Sequence, residues 1–309
     1  MQHRLAAVLP GTPVEADGIF GPGTRAALEA FQRLRGLRVD GVCGAQTWNT
    51  LVEAGFRMGD RFLYRRTPML RGDDVAELQQ RLCTLGFDTG RVDGIFGDAT
   101  VQALDEFQRN AGLPVDGIVG GATLLELLRL ESRHHEPALV SAVRARAALR
   151  NAPPTLRGRH IAVGESGGLG SVTGAFRRRL NWGGIRVTEL HHPDDAVQAK
   201  EANELDVDVF VGLRLNPSTS GCRTAFWSGR HDESLGGRRL AELVQAAIPE
   251  ALDVTDAGVH GMSVPLLRET RMPAVLIEVG PASRVVEGTP ALAAALATAL
   301  GRWADASWD

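Results

Sequence analysis

Apolar residues in the first half of the chain recur at helical spacing. The pattern is clearest in two predicted helices, whose apolar faces are Val75, Leu78, Leu82 and Leu85 for one and Val101, Leu104 and Phe107 for the next. Asp98 is expected to cap the second of these helices, and Pro22 suits the first turn of its counterpart earlier in the chain. Further helices are predicted from Gln46 and from Ala122.

The same pattern occurs twice, so the first half is organised as an internal repeat. The segment "DGIFGPGTRAALEAFQ" from Asp17 corresponds to "DGIFGDATVQALDEFQ" from Asp93, which lies 76 residues later. Such a period indicates two copies of one small domain, each of three helices. The Asp-Gly pairs at Asp17, Asp40, Asp93 and Asp116 predict turns, because Asp bonds to its own downstream backbone and Gly tolerates positive φ.

The first copy has a shorter leading segment than the second. "MQHRL" at the start of the chain matches "LQQRL" from Leu78, whereas the second copy opens this helix earlier, with "RGDDVAEL". Either the first copy is trimmed, or the natural start of the chain lies further upstream. The predicted boundaries are 1–56 for the first unit and 57–132 for the second.

The second half alternates short apolar runs with helical patterns. Strands are predicted at "HIAV" from His160, "IRVTEL" from Ile185, "VDVFVGLRL" from Val207 and "PAVLIEVG" from Pro273, with a further edge strand at "RTAFWSG" from Arg223. Helices are expected at 174–181, 195–204, 234–248 and 290–306. The predicted fold class is therefore multidomain: two all-α three-helix units, then an α/β domain over 158–309 with a mostly parallel sheet covered by helices.

A linker is predicted between these halves, over residues 133–157. Its middle, from Pro137 to Leu149, favours an Ala-rich helix that Pro153 and Pro154 end. His134 and His135 are adjacent, so they do not share a helix face, and we expect a solvated surface pair rather than a metal site.

Composition narrows the classes of function. The chain of 309 residues has a formal charge of −3 and scattered Lys and Arg, which argues against nucleic acid as a partner. It has no apolar run long enough to span a membrane and no secretory signal, so we expect a cytoplasmic protein, or a cell-wall protein if the natural start lies upstream. The cysteines Cys43, Cys83 and Cys222 are expected to be buried or half-buried thiols.

The two repeats resemble the peptidoglycan-binding domain type 1 family. The resemblance rests on "LQQRL", "DGIFGDAT", "FQ" and "DGIVGGAT" in the second copy and on their counterparts in the first. It implies binding of cell-wall glycopeptide. The aromatic motif residues Phe20, Phe31, Phe96 and Phe107 are better explained as core. The candidate ligand contacts are the polar members Asp17, Gln32, Asp93 and Gln108.

The last domain resembles the zinc-dependent N-acetylmuramoyl-L-alanine amidases of the amidase type 3 family, from Leu156 to about Trp303. "AKEANELDVDVFVGLRLN" and "VPLLRETRMPAVLIEVGPAS" carry the resemblance. The positions that match the family pattern are Ala202, Asn203, Asn216, Leu267, Arg268, Pro273 and Glu278. The resemblance implies cleavage of the amide between the muramic lactyl group and L-alanine by a zinc-activated water, with a glutamate that moves the proton.

The residues at the implied zinc positions depart from that family. Ser166 stands in place of the first histidine, the stretch from Gly168 to Asn181 has no Asp or Glu for the second ligand, and Arg214 stands in place of the third. A guanidinium cannot give up its proton and offers no lone pair. Only the glutamate of the last strand, Glu278, is retained, so no metal or other cofactor is predicted.

Three functional hypotheses follow. The first is a pseudo-amidase that binds peptidoglycan or muramyl-peptide precursors without cleaving them. In this hypothesis, Arg214 either binds a carboxylate of the ligand or pairs with Glu278. Asn216 is a further candidate contact in the same cleft. The second is a working amidase with a rebuilt metal site.

The rebuilt site of the second hypothesis would draw on Glu165, His191, His192 and Glu278, although the two histidines are also explained as a surface loop pair. The third hypothesis is an interaction protein that regulates precursor synthesis through a protein of cell-wall synthesis. His231 and His260 are expected to be structural or exposed.

Overall fold

The computed structural model describes residues 1–131, 140–217, 220–230, 232–306 and 308. The chain divides into two compact units, one of residues 1–147 with 229–232 and the other of residues 148–228 with 233–309. The division near residue 147 falls inside the predicted linker. His134, His135 and His231 lie outside the described residues, as do the first residues of the predicted linker helix.

The first unit is helical and contains both repeats. Its helices are α1 (Gln2–Val8), α2 (Pro22–Leu34), α3 (Ala45–Glu53), α4 (Asp73–Thr84), α5 (Asp98–Asn110), α6 (Gly121–Glu131) and α7 (Val140–Asn151), the last of which extends into the second unit. The prediction of three helices in each repeat is confirmed, and α2 begins at Pro22 as expected. The predicted cap is wrong: Gly97 is the N-cap of α5, and Asp98 is its first helical residue with no capping bond.

Each repeat has its own small core, but the two differ at one aromatic position. Phe96 is 0% exposed, because the stretch before α4 covers it: Leu70 accepts a hydrogen bond from the Phe96 N–H at 2.9 Å. Its counterpart Phe20 is 52% exposed, so the expectation that Phe20 belongs to the core is wrong. The residues described in the first repeat provide no comparable cover. Phe31 and Phe107 are buried as expected.

The second unit is an α/β domain. Its strands are β1 (His160–Glu165), β2 (Arg186–His191), β3 (Val209–Leu215), β4 (Gly221–Trp227), β5 (Thr255–Met262) and β6 (Ala274–Val279). Its helices are α8 (Gly170–Trp182), α9 (Asp195–Glu204), α10 (Leu235–Leu252), α11 (Pro265–Glu269), α12 (Ala282–Glu287) and α13 (Thr289–Ala304). The strands form one sheet in the order β2-β1-β3-β6-β4-β5. Alternate residues of the buried strands enter two separate apolar cores, as in a sheet covered on both faces.

The sheet is mostly parallel, as predicted, but the expected edge strand is wrong. β4 lies inside the sheet, antiparallel to β6 and parallel to β5. The edge on that side of the sheet is β5, which was not predicted because its sequence "TDAGVHGM" has no regular apolar alternation; most of its residues are exposed. Among the described residues, no helix is both long enough and apolar enough to cross a membrane.

A cleft at the carboxyl ends of the strands

The parallel strands bring the predicted cleft residues to one edge of the sheet. Glu165 ends β1 and His191 ends β2, while Arg214 and Glu278 lie next to the last residues of β3 and β6. β4 runs in the opposite direction, so its first residues reach the same edge and contribute Arg223. This edge is where open α/β sheets place their ligands.

Three charged residues form one row across neighbouring strands. Arg214 is in register with Glu278, and Glu278 is in register with Arg223 on its other side. The Arg214 Nη1 lies 3.6 Å from the Glu278 Oε1, and the Arg223 Nη2 contacts the Glu278 Oε2. The Glu278 side chain is 5% exposed. A buried carboxylate is therefore placed between two guanidinium groups, the arrangement that burial of a charge requires.

A second acid completes the charge balance of this row. Asp195, the first residue of α9, accepts hydrogen bonds from the Arg214 Nη2 on both carboxylate oxygens at 2.7 Å. Two arginines thus face two carboxylates with no net charge. The pair of Arg214 with Glu278, which the sequence left as one of two options, is present, and the guanidinium already has two carboxylate partners. Asp195 and Arg223 could not be assigned to this row from the sequence, because only the strand order brings them to Arg214 and Glu278.

A separate pair lies at the ends of β1 and β2. The His191 Nδ1 is 2.9 Å from the Glu165 Oε1, and the other carboxylate oxygen accepts the N–H groups of Gly167 at 2.7 Å and Leu169 at 3.0 Å. Burial raises the pKa of the Glu165 carboxyl, but the bonds from His191, Leu169 and Gly167 outweigh it, so the pKa lies below its ordinary value. Glu165 therefore orders the glycine-rich loop that carries the half-buried Ser166.

The residues of the hypothetical rebuilt metal site do not come together. Glu278 is on β6, and β3 lies between it and β1, which carries Glu165. The His192 Nδ1 is turned to its own loop, where it accepts the Asp194 N–H at 3.0 Å. Within the described part of the chain, no group of three or more His, Cys, Asp or Glu side chains is arranged to hold a metal ion.

The remaining candidates of this unit have structural contacts. The Asn216 N–H donates to the Val279 oxygen at 2.9 Å, which ties the end of β3 to the end of β6. The exposed His260 lies with its Nε2 2.8 Å from the Ala257 oxygen. The cysteines are free thiols, with Cys43 half-buried and Cys83 and Cys222 buried, as predicted.

In the first unit, four glutamines each hold one Asp-Gly turn. In the clearest case, the Gln108 Nε2 donates to the Asp116 Oδ1 at 2.8 Å and to the Ile118 oxygen at 3.1 Å, and the Gln108 Oε1 accepts the Gly117 N–H at 3.0 Å. The amide also reaches the Thr123 hydroxyl at 3.2 Å. The four sets are Gln2 with Asp17 and Thr24, Gln32 with Asp40 and Thr47, Gln79 with Asp93 and Thr100, and Gln108 with Asp116 and Thr123.

Two of the candidate ligand contacts are buried. Gln32 is 0% exposed and Gln108 is 1% exposed, and each amide is occupied by its own turn in this conformation. Asp17 is exposed and Asp93 half-buried, and both accept the N–H of the residue two positions later, as predicted for these turns. The shared roles of Gln2 and Gln79 were missed, although the repeat spacing pairs them.

Each half of the chain is similar to a known protein family. The peptidoglycan binding domain family matches residues 1–51 and 71–127, and the N-acetylmuramoyl-L-alanine amidase family matches residues 172–288. The chain is 36% identical over 312 residues to N-acetylmuramoyl-L-alanine amidase CwlM of Mycobacterium tuberculosis, a match that covers 91% of this chain and 76% of the relative. The chain belongs to the N-acetylmuramoyl-L-alanine amidase family.

Two further similarities cover smaller shares of the chain. The spore cortex-lytic enzyme of Bacillus cereus is 39% identical over 100 residues, which are 31% of this chain and 39% of the relative. The crystal structure of the amidase Ami1 from Mycobacterium smegmatis has 14% sequence identity and a TM-score of 0.43, and covers 48% of this chain and 98% of that chain.

The side chains at the strand ends do not fit the zinc ion that the family implies. Zinc in proteins takes thiolate, imidazole and carboxylate ligands. At the positions where the family implies zinc ligands, the groups are the Ser166 hydroxyl and the Arg214 guanidinium, and the retained Glu278 carboxylate is already paired with two arginines. These groups do not form a zinc-binding set.

Proposed function

We propose that this amidase-family protein binds peptidoglycan or its muramyl-peptide precursors without hydrolysing them. The observation that carries the proposal is the row of Arg214, Glu278 and Arg223 at the strand ends. Activation of water by a metal needs lone-pair donors around an open coordination position. Arg214 and Arg223 hold the Glu278 carboxylate in ion pairs, so this carboxylate is engaged by guanidinium groups instead of facing a metal ion or an exchanging proton.

A direct assay tests the absence of hydrolysis. The purified chain is incubated with cell-wall sacculi, with and without added zinc, and new L-alanine amino termini are measured by mass spectrometry. We expect no release above the protein-free control, while an active zinc amidase in the same assay releases peptides. Sedimentation with the sacculi measures binding separately. Zinc-dependent release that a chelator abolishes would overturn the proposal.

A working amidase with an unconventional metal site is the second candidate. One observation favours it: the Glu165 Oε1 lies 2.9 Å from the His191 Nδ1, while the His191 Nε2 lies 3.6 Å from the Glu189 Oε2. A carboxylate that orients a histidine is typical of metal sites. Under this hypothesis, His191→Ala abolishes both zinc binding and turnover, and Arg214→Met leaves them unchanged. Under the first proposal, the wild type neither binds zinc nor cleaves the substrate, so neither substitution has a measurable effect on zinc binding or turnover.

Binding without hydrolysis suits a regulatory role in cell-wall synthesis, and we infer a protein partner from that process. Two observations support this inference. The chain keeps the amidase-like domain, although Ser166 and Arg214 stand where the family implies zinc ligands. Ion pairs nevertheless hold the strand ends in order. Cross-linking in cells followed by mass spectrometry, with fractionation of cytoplasm and cell wall, tests both the partner and the location. Recovery of sacculus fragments alone, with no protein of precursor synthesis, would argue against the regulatory role.

A further inference from the structure

The stretch before α4 presents aromatic side chains to solvent. Leu63 is 1% exposed and forms a bridge with Val119, so its neighbours point to the opposite side of the backbone. These neighbours are Phe62, which is 65% exposed, and Tyr64, which is 41% exposed. Large exposed aromatic residues that lie close together are a common feature of binding surfaces.

This stretch is held firmly against the second repeat. The Leu63 oxygen accepts the Val119 N–H at 2.8 Å, and the Leu70 oxygen accepts the Phe96 N–H at 2.9 Å. Arg65 forms an ion pair with Asp98 at 3.0 Å. The backbone is therefore fixed on both sides of Tyr64, and a ligand that contacts the two rings does not have to order them first.

Arg66 adds a positive charge next to the rings. It is exposed and forms no ion pair with any of the described residues. Residues two apart on an extended backbone are about 7 Å apart, so the two rings present adjacent apolar faces. The combination suits a ligand that has apolar sugar faces and a carboxylate, because C–H faces of sugars stack on aromatic rings and carboxylates pair with guanidinium groups.

We propose that Phe62, Tyr64 and Arg66 form the contact surface for peptidoglycan, and we call this set the aromatic strip. Sugar rings of the glycan stack on Phe62 and Tyr64, and a carboxylate of the stem peptide pairs with Arg66. The proposal rests on the proposed function and names the part of the chain that carries it. The strip also lies outside residues 71–127, which match the peptidoglycan binding domain family, so it is a feature of this chain in addition to that match.

The internal hydrogen bonds of the repeats support this location. The motif glutamines bind the Asp-Gly turns of their own repeat, so the motif leaves few polar groups for a ligand. The strip lies just before α4 of the second repeat, so we assign ligand binding to that repeat.

Sedimentation of the intact chain with purified sacculi tests the strip. The variant Phe62→Ser/Tyr64→Ser is compared with Trp182→Ser, which alters a side chain that is 94% exposed in the other unit. We expect the double variant to raise the dissociation constant about tenfold or more, as loss of aromatic contacts does at other interfaces, and the control to bind like the wild type. Unchanged thermal unfolding shows that the double variant is folded.

Arg66→Gln, with Arg179→Gln as its control, separates the two contacts. We expect weaker binding to sacculi that carry stem peptides, and unchanged binding to N-acetylglucosamine oligomers, which have the sugar faces but no carboxylate. If the wild type binds sacculi and the double variant binds them equally well, the aromatic strip is not the contact surface. The proposed function then still stands. If the wild type itself fails to bind sacculi or soluble muramyl peptides, the proposed function fails, and the strip fails with it.

Discussion

At the scale of single residues, ion pairs around Glu278 hold the strand ends together. Arg214 and Arg223 reach the carboxylate from the two neighbouring strands, and Asp195 balances the second charge. Removing one member of such a set leaves a charge without its partner. The resulting loss in free energy of unfolding is larger than the net stabilisation that the ion pair provides. The two arginines are about one-third exposed, so solvent reduces that cost.

We predict that Glu278→Gln lowers the free energy of unfolding by about 1–3 kcal/mol. The substitution keeps the side-chain shape but leaves Arg223 without a negative partner at Glu278. Urea unfolding followed by circular dichroism measures the change. Glu242→Gln, in an exposed pair with Arg238, is the control and is expected to leave the unfolding midpoint unchanged. An equal effect of both substitutions would contradict the role given to the row.

Gln108→Ala is expected to destabilise the second repeat by about 3 kcal/mol, because it leaves several buried turn groups without a partner. These groups include the Gly117 N–H and the Ile118 oxygen. Hydrogen exchange of the amides in the turn at Asp116 locates the effect. Asn110→Ala removes an exposed side chain with one backbone bond and serves as the control. A Gln108 variant as stable as this control would show that the glutamine is free for another role.

The turn aspartates give the first unit a dependence on acid pH. Bonds from the Ile19 N–H and Gln2 lower the pKa of Asp17, and the Ile118 N–H and Gln108 do the same for Asp116. A folded pKa below the unfolded value of 3.8 means that the ionised form favours folding. This contribution is complete above the unfolded pKa and is lost as the pH falls through the folded pKa.

Urea unfolding of the chain at about pH 5 and about pH 3 tests this dependence. We expect the unfolding midpoint of the first unit to fall on acidification, and Asp116→Asn to reduce the size of that fall. A fall of the same size in the variant would assign the pH dependence to other carboxyl groups.

At the scale of elements, the sequence predicted the buried helices and strands well and the exposed edge poorly. β1, β3 and β6 are continuous apolar runs, and their burial is nearly complete. β5 was not predicted, because an exposed edge strand has few apolar residues and therefore no clear apolar pattern in the sequence. Its pairing with β4 is also a long-range contact that the local sequence does not indicate. The pairing of β4 with β6 is also long-range and places Arg223 beside Glu278, so this member of the row could not be predicted from spacing alone.

Two glycines in register show how closely the central strands pack. Gly164 of β1 pairs with Gly212 of β3, and a Cβ on Gly164 would lie 2.6 Å from the Phe210 Cζ and closer still to the Gln198 Oε1. We predict that Gly164→Ala lowers the free energy of unfolding by about 1–3 kcal/mol through overpacking. Gly170→Ala is the control, because its Cβ would meet no atom within 4 Å. Thermal unfolding compares the two, and equal stability would contradict the packing argument.

At the scale of the whole molecule, the repeats and the fold follow the family, while Ser166 and Arg214 stand at positions where the family implies zinc ligands. The repeats and the α/β fold were predictable because periodicity and motif spacing extend over most of the chain. The roles of the motif glutamines were not, since a polar residue that binds its own turn has the same sequence signature as one that binds a ligand. The distinction became visible only in the burial of Gln32 and Gln108.

The strand ends hold ion pairs at the place where the family implies a zinc ion. Zinc titration of the purified chain by isothermal calorimetry, with elemental analysis after dialysis, measures whether zinc binds there. We expect well below one zinc ion per chain, and no change in zinc content on Glu278→Gln. One tightly bound zinc ion per chain, lost on Glu278→Gln, would show that a metal site exists at the strand ends.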